Sequence, residues 1–97
     1  MGVEGHTASL FPGSKALTER ELWVIPVQAP EGIYPQCRIT LTLPVINRAE
    51  LVLFLVSGEG KKEAVRRALS DPLARNEMPA AMVKPTGELE WYLDFNV

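Results

Sequence analysis

The chain has 97 residues, 46% of them hydrophobic and 23% charged, which is room for one small domain, residues 1–97, and is far from the composition of a disordered segment. A net charge of −2 supplies no basic face, which excludes nucleic acid and an anionic membrane surface as expected partners. One cysteine, Cys37, and one histidine, His6, exclude an internal disulfide and argue against a zinc site, so no metal or other cofactor is expected and a reducing, cytoplasmic location is.

Residues 1–13 are rich in glycine and small polar residues and end in the turn Phe11-Pro12-Gly13; they lack the basic and apolar regions of a signal peptide. Thr7 to Phe11 has room for one helical turn before Pro12, and Ser14 to Glu21 reads as a short helix or loop. LWVIPVQ at 22–28 is a strand whose Pro26 confines it to an edge or a bulge. APEGIYPQ at 29–36 is a surface loop. RITLTL at 38–43 alternates like a strand, and Thr42 with Pro44 suits a helix start over 44–50.

LVLFLV at 51–56 is the longest apolar run, too short to span a bilayer. It is apolar on both faces, as in a parallel strand covered on each side. KKEAVRRALS at 61–70 follows as an amphipathic helix with Ala64, Val65, Ala68 and Leu69 inward, stopped by Asp71-Pro72. MPAAMV at 78–83 is a short apolar element, and ELEWYLDF at 88–95 a last strand. Trp23 and Trp91 fall in strands and are expected as core aromatics. Strands alternating with helices give an α/β fold with a mostly parallel sheet and flanking helices.

Three places could carry chemistry. In Glu4-Gly5-His6, a glycine allows close approach of a ligand, an imidazole can take a proton near neutral pH, and a carboxylate two residues away can orient it. Taken alone, the same residues would pass as a frayed terminus. Arg38 heads a strand, where its planar fork would suit a phosphate or a surface ion pair equally. VSGEGKK at 56–62 is a strand, a glycine-rich turn and a helix start, which aims backbone N–H groups at an anion. Its spacing is not that of a Walker A loop, and Lys61 there is unfavourable for the helix dipole unless an anion is bound. Asp94, by contrast, is expected to be solvated.

The runs GHTASLFPG at 5–13 and RITLTLPVINRA at 38–49 closely resemble the 6-phosphogluconolactonases of the glucosamine-6-phosphate isomerase/6-phosphogluconolactonase superfamily. The resemblance implies the carboxy-terminal half of a partial Rossmann-like fold, from a sequence that begins inside a longer family domain. It implies hydrolysis of 6-phosphoglucono-δ-lactone, a small sugar phosphate of the pentose phosphate pathway, with no metal or other cofactor. His6 matches the general base, and Glu4 stands where the family usually has Asp. Gly5, Arg38 and Lys61 match substrate-binding positions, the last two contacting phosphate.

With half of the family domain absent, activity is expected to be weak, and exposed sheet faces to drive homo-oligomerisation. Two other readings stay open: a sugar-phosphate isomerase or deaminase, whose motif usually continues G-H-I-A-F-N-E, and a non-catalytic oligomeric remnant that binds sugar phosphate.

Overall fold

The computed structural model describes residues 1–97. Its regular elements are β1 (Val24–Gln28), β2 (Cys37–Leu41), α1 (Leu43–Ile46), β3 (Leu51–Val56), α2 (Lys62–Ser70) and β4 (Glu88–Leu93). Short 3₁₀ turns lie at Lys15–Thr18, Glu59–Lys61, Ala74–Asn76 and Pro79–Met82. The α/β character read from the sequence holds, and every expected strand is present.

The expectation of a mostly parallel sheet needs correction. The strands form two separate pairs: β3 and β4 run parallel, from Leu51 opposite Glu88 to Val56 opposite Leu93, while β1 and β2 run antiparallel. The reason is the connection. The β1–β2 loop over 29–36 is too short to hold a crossover helix, so the chain returns as a hairpin; α2 and the turns after it fill the longer β3–β4 connection. In a two-stranded sheet each strand has a free edge, and Pro26 sits in register with Ile39 without removing a bond from an interior ladder.

The core forms where α2 and the turns over 74–83 pack on one face of the parallel pair. Leu10, Phe54, Val56, Ala64, Val65, Ala74, Met78, Ala80 and Val83 are buried there. Val52, Trp91 and Leu93 are partly buried against the same cluster. The opposite face of β3 is open, with Leu51, Leu53 and Leu55 exposed, so the strand is not covered on both sides as its composition predicts. Val24, Ile39 and Leu41 on the outer face of the hairpin are exposed as well. Only one layer of helix and turn is present, and one layer covers one face of each pair. Two smaller expectations fail for the same reason: Trp23 is exposed, and Leu69 lies outside the buried stripe of α2.

Two glycines are dictated by the backbone, one by its conformation and one by close packing. Gly58 has φ +102° and turns the chain out of β3. Gly87 enters β4 against the backbone of Glu50, where a Cβ would collide with the carbonyl oxygen; the neighbouring Glu88 N–H donates to that same oxygen at 2.8 Å.

Candidate active site

The segment over 1–13 is a tightly folded loop. The Gly2 N–H donates to the His6 carbonyl at 2.9 Å, and the Gly5 N–H to the Gly2 carbonyl at 3.0 Å. Gly2 has to be small, because a Cβ there would run into His6 Nδ1. Thr7 to Leu10 closes as a turn with a Leu10 N–H to Thr7 carbonyl bond of 2.9 Å. It does not become the helical turn that its length permits, because Ala8 takes a left-handed φ of +51°.

Two long-range anchors fix this loop to the rest of the fold. Ser9 N–H donates to the buried Thr40 Oγ1 on β2 at 3.0 Å. Ala80 N–H donates to the Gly5 carbonyl at 2.9 Å. Gly5 itself is buried, has φ +90°, and lies against Met78, whose Cγ a Cβ would strike. Leu10 and Phe11 are buried beside it and complete the docking.

On this loop the Glu4 carboxylate bonds to Nδ1 of His6. A carboxylate can only accept, so Nδ1 carries the hydrogen and the lone pair of the ring falls on Nε2. Partial burial works against the charge on Glu4. The His6 hydrogen bond and nearby backbone N–H groups outweigh it, and the net effect holds the carboxyl below its ordinary value. The imidazole is about one-third exposed and so open to a ligand.

Arg38, near the start of β2, is brought to the same place through Phe11. Its guanidinium lies over the Phe11 ring, 5.5 Å from the centroid. The His6 ring is 5.0 Å from that same ring, tilted by 36°. Arg38 is also held at one edge, where Nε–H donates to the Pro35 carbonyl at 2.7 Å and Nη2–H to that of Tyr34 at 3.1 Å.

Lys61 occupies the N-cap position of α2, which has no side-chain cap. Burial and then the positive charge of Lys61 lower the pKa of the Met1 amino group, and Glu4 opposes them. The charge of Lys61 is thus felt at Met1, the first residue of the loop that carries Glu4 and His6.

Two residues here were not legible as functional in the sequence. Phe11 looks like one more apolar side chain in a turn, and only the fold brings its ring to both His6 and Arg38. Asp94 is exposed, as expected, but also accepts Ser57 Oγ–H at 2.5 Å and Gly58 N–H at 3.0 Å. It thereby clamps the turn that leads to Lys61, at the carboxyl ends of the two parallel strands, where open α/β sheets bind ligands. The largest groove on the molecule, about 720 Å³, is elsewhere. Ser14, Leu17, Arg20, Asn47 and Arg75 help to line it, and none of His6, Arg38 and Lys61 does.

The family described as glucosamine-6-phosphate isomerases/6-phosphogluconolactonase matches residues 1–91. The chain belongs to this family. It is 50% identical to a 6-phosphogluconolactonase of Rattus norvegicus and 48% identical to one of Homo sapiens, over 95 residues in each case. Both matches cover 97% of this chain and 36% of the relative, so the chain spans little more than a third of their length.

Among solved structures, the devB protein superposes with a TM-score of 0.82 at 35% identity, covering 95% of this chain and 38% of that one. The 6-phosphogluconolactonase from Trypanosoma brucei gives 0.82 at 31% identity, covering 96% and 36%. A likeness this close over nearly all of the chain means that these residues keep the family's local architecture.

Proposed function

We propose that this chain carries the hydrolytic chemistry of a 6-phosphogluconolactonase, opening 6-phosphoglucono-δ-lactone to 6-phosphogluconate. One observation supports this above the others: Glu4 holds Nδ1 of His6, which frees Nε2 to act on water, and a guanidinium stands one aromatic ring away. In this reading Nε2 draws a proton from a water as it attacks the lactone carbonyl, and the imidazolium that forms is stabilised by the Glu4 carboxylate. Gly5, buried against Met78, shapes the loop that presents His6 and is not itself open to the sugar. Arg38 and Lys61 hold the phosphate and so fix the carbonyl opposite the histidine, which lowers the entropic part of the barrier.

The relatives named above are 6-phosphogluconolactonases, which favours hydrolysis over the isomerase or deaminase reading. The chain would supply the carboxy-terminal part of a Rossmann-like family fold, with the sugar phosphate as its partner and a cytoplasmic location to match. No helix is long and apolar enough to cross a membrane. The exposed leucines of β3 support association of copies.

The assay is direct. Purified chain and its His6→Ala variant are added to freshly prepared lactone, and acid release is followed above the spontaneous rate. Turnover that falls about 10²–10⁴-fold in the variant is the expected result. Equal rates with both proteins remove the catalytic role and leave a phosphate-binding remnant, which a phosphate titration then tests.

A further inference from the structure

The arginine that this reading assigns to phosphate is not left to find its own position. A guanidinium has five N–H donors in a rigid plane, on a long flexible stem. In Arg38 the Nε–Nη2 edge is committed to the carbonyls of Pro35 and Tyr34. The central carbon of the guanidinium lies over the Phe11 ring, 5.5 Å from the centroid. The Nη1 end makes no hydrogen bond within the chain and is left for an anion. Phe11 is 4% exposed, locked in the docked loop, and its ring is also the neighbour of the His6 imidazole. The negative face of an aromatic ring attracts a cation, and a buried ring cannot drift to follow it.

We propose that Phe11 is a positioning residue: its ring sets the separation between the His6 imidazole and the Arg38 guanidinium, so that an anion on the Nη1 end of Arg38 is registered against the histidine. The inference rests on the reading of Arg38 as the phosphate holder, and adds that this grip depends on an aromatic face and not on apolar bulk. Leucine at position 11 could still fill the loop. It offers the guanidinium no aromatic face.

The test uses the full 97-residue chain, two replacements and inorganic phosphate. Phe11→Leu keeps an apolar side chain; pentafluorophenylalanine at position 11 keeps the ring's shape and reverses its charge distribution. His6 is the only histidine, so its imidazole signals are identified in an NMR spectrum without further variants, and the Arg38 Nε–H reports the guanidinium. Retained amide dispersion shows that each variant is folded; if leucine fails to fold, the fluorinated ring decides.

Without phosphate, the Arg38 Nε–H is expected to be ordered in the parent chain and mobile in both replacements. With phosphate, the dissociation constant is expected to rise about 2- to 5-fold in both, and the shift that phosphate induces at His6 to shrink. Folded replacements that keep an ordered Arg38 Nε–H and the parent's phosphate response overturn the proposal. A parent chain that shows no response to phosphate overturns instead the reading of Arg38 as a phosphate holder, while the phosphate-free comparison still decides what Phe11 does.

Discussion

Phe54 and Trp91 are register partners across β3 and β4, and their rings stack with centroids 4.2 Å apart and planes within 11°. The parallel strands have only each other as ladder neighbours, so this contact carries an unusual share of what joins them. Trp91→Ala is expected to destabilise the chain by about 2–4 kcal/mol. Trp23, 60% exposed on the hairpin, should tolerate alanine to within about 0.5 kcal/mol. Urea unfolding followed by circular dichroism compares the two without depending on tryptophan fluorescence.

Gly5 combines a φ of +90° with a Met78 side chain where a Cβ would go. Gly5→Ala therefore brings both left-handed strain, about 1–2 kcal/mol, and a clash with a buried neighbour. A loss of about 2 kcal/mol or more is expected, a fall of roughly 10 °C in the melting midpoint for a domain of this size. Gly5→Ala combined with Met78→Ala should recover only the clash. Calorimetry on the single and double variants separates the two contributions.

Asp94 gives a pH dependence with a definite sign. The bond from Ser57, and then that from the Gly58 amide, hold its carboxyl below the ordinary aspartate value. A carboxyl depressed in the folded state stabilises fully above its unfolded pKa, near 4, and loses that contribution as pH falls through the folded value. Asp94→Asn should lower the melting midpoint at neutral pH and make little difference at about pH 2. Parallel scans of both proteins across that window check it, and a constant difference at every pH would refute the assignment.

The outer face of β3 predicts behaviour in solution. Leu51, Leu53 and Leu55 are 47%, 49% and 72% exposed, a concentration of apolar surface that favours contact between copies. Leu55→Lys is expected to shift the chain toward monomer. Light scattering over a range of concentrations reads the change, and a parent chain that is monomeric throughout would show that the face stays open.

Much of the fold was legible in the sequence because it rests on local signals. The alternation in RITLTL and the run LVLFLV mark strands, and the stripe through Ala64 and Val65 marks α2. Pairing direction was less visible, since it depends on how far a connection can reach: the loop over 29–36 decides it for β1 and β2. Exposure of Leu51, Leu53 and Leu55 could not be read from composition, which reports what a strand could bury and not what is there to bury it. At the site, Glu4, His6 and Arg38 could be named from residue chemistry and resemblance. The roles of Phe11 and Asp94 could not: Phe11 lies within GHTASLFPG but meets Arg38 only in the fold, and Asp94 acts on Ser57 and Gly58 far away in the chain.

The loop that carries His6 is moored at Gly5 by the amide of Ala80 and the side chain of Met78. Its shape thus depends on a region that lies beyond the intervening strands and α2 in the chain. Local melting over 74–83 would leave the loop on its Ser9–Thr40 anchor alone while β1 and β2 stayed zipped, and the chain could then keep most of its secondary structure with its base poorly held. Far-ultraviolet signals would miss that failure; the lone histidine would report it.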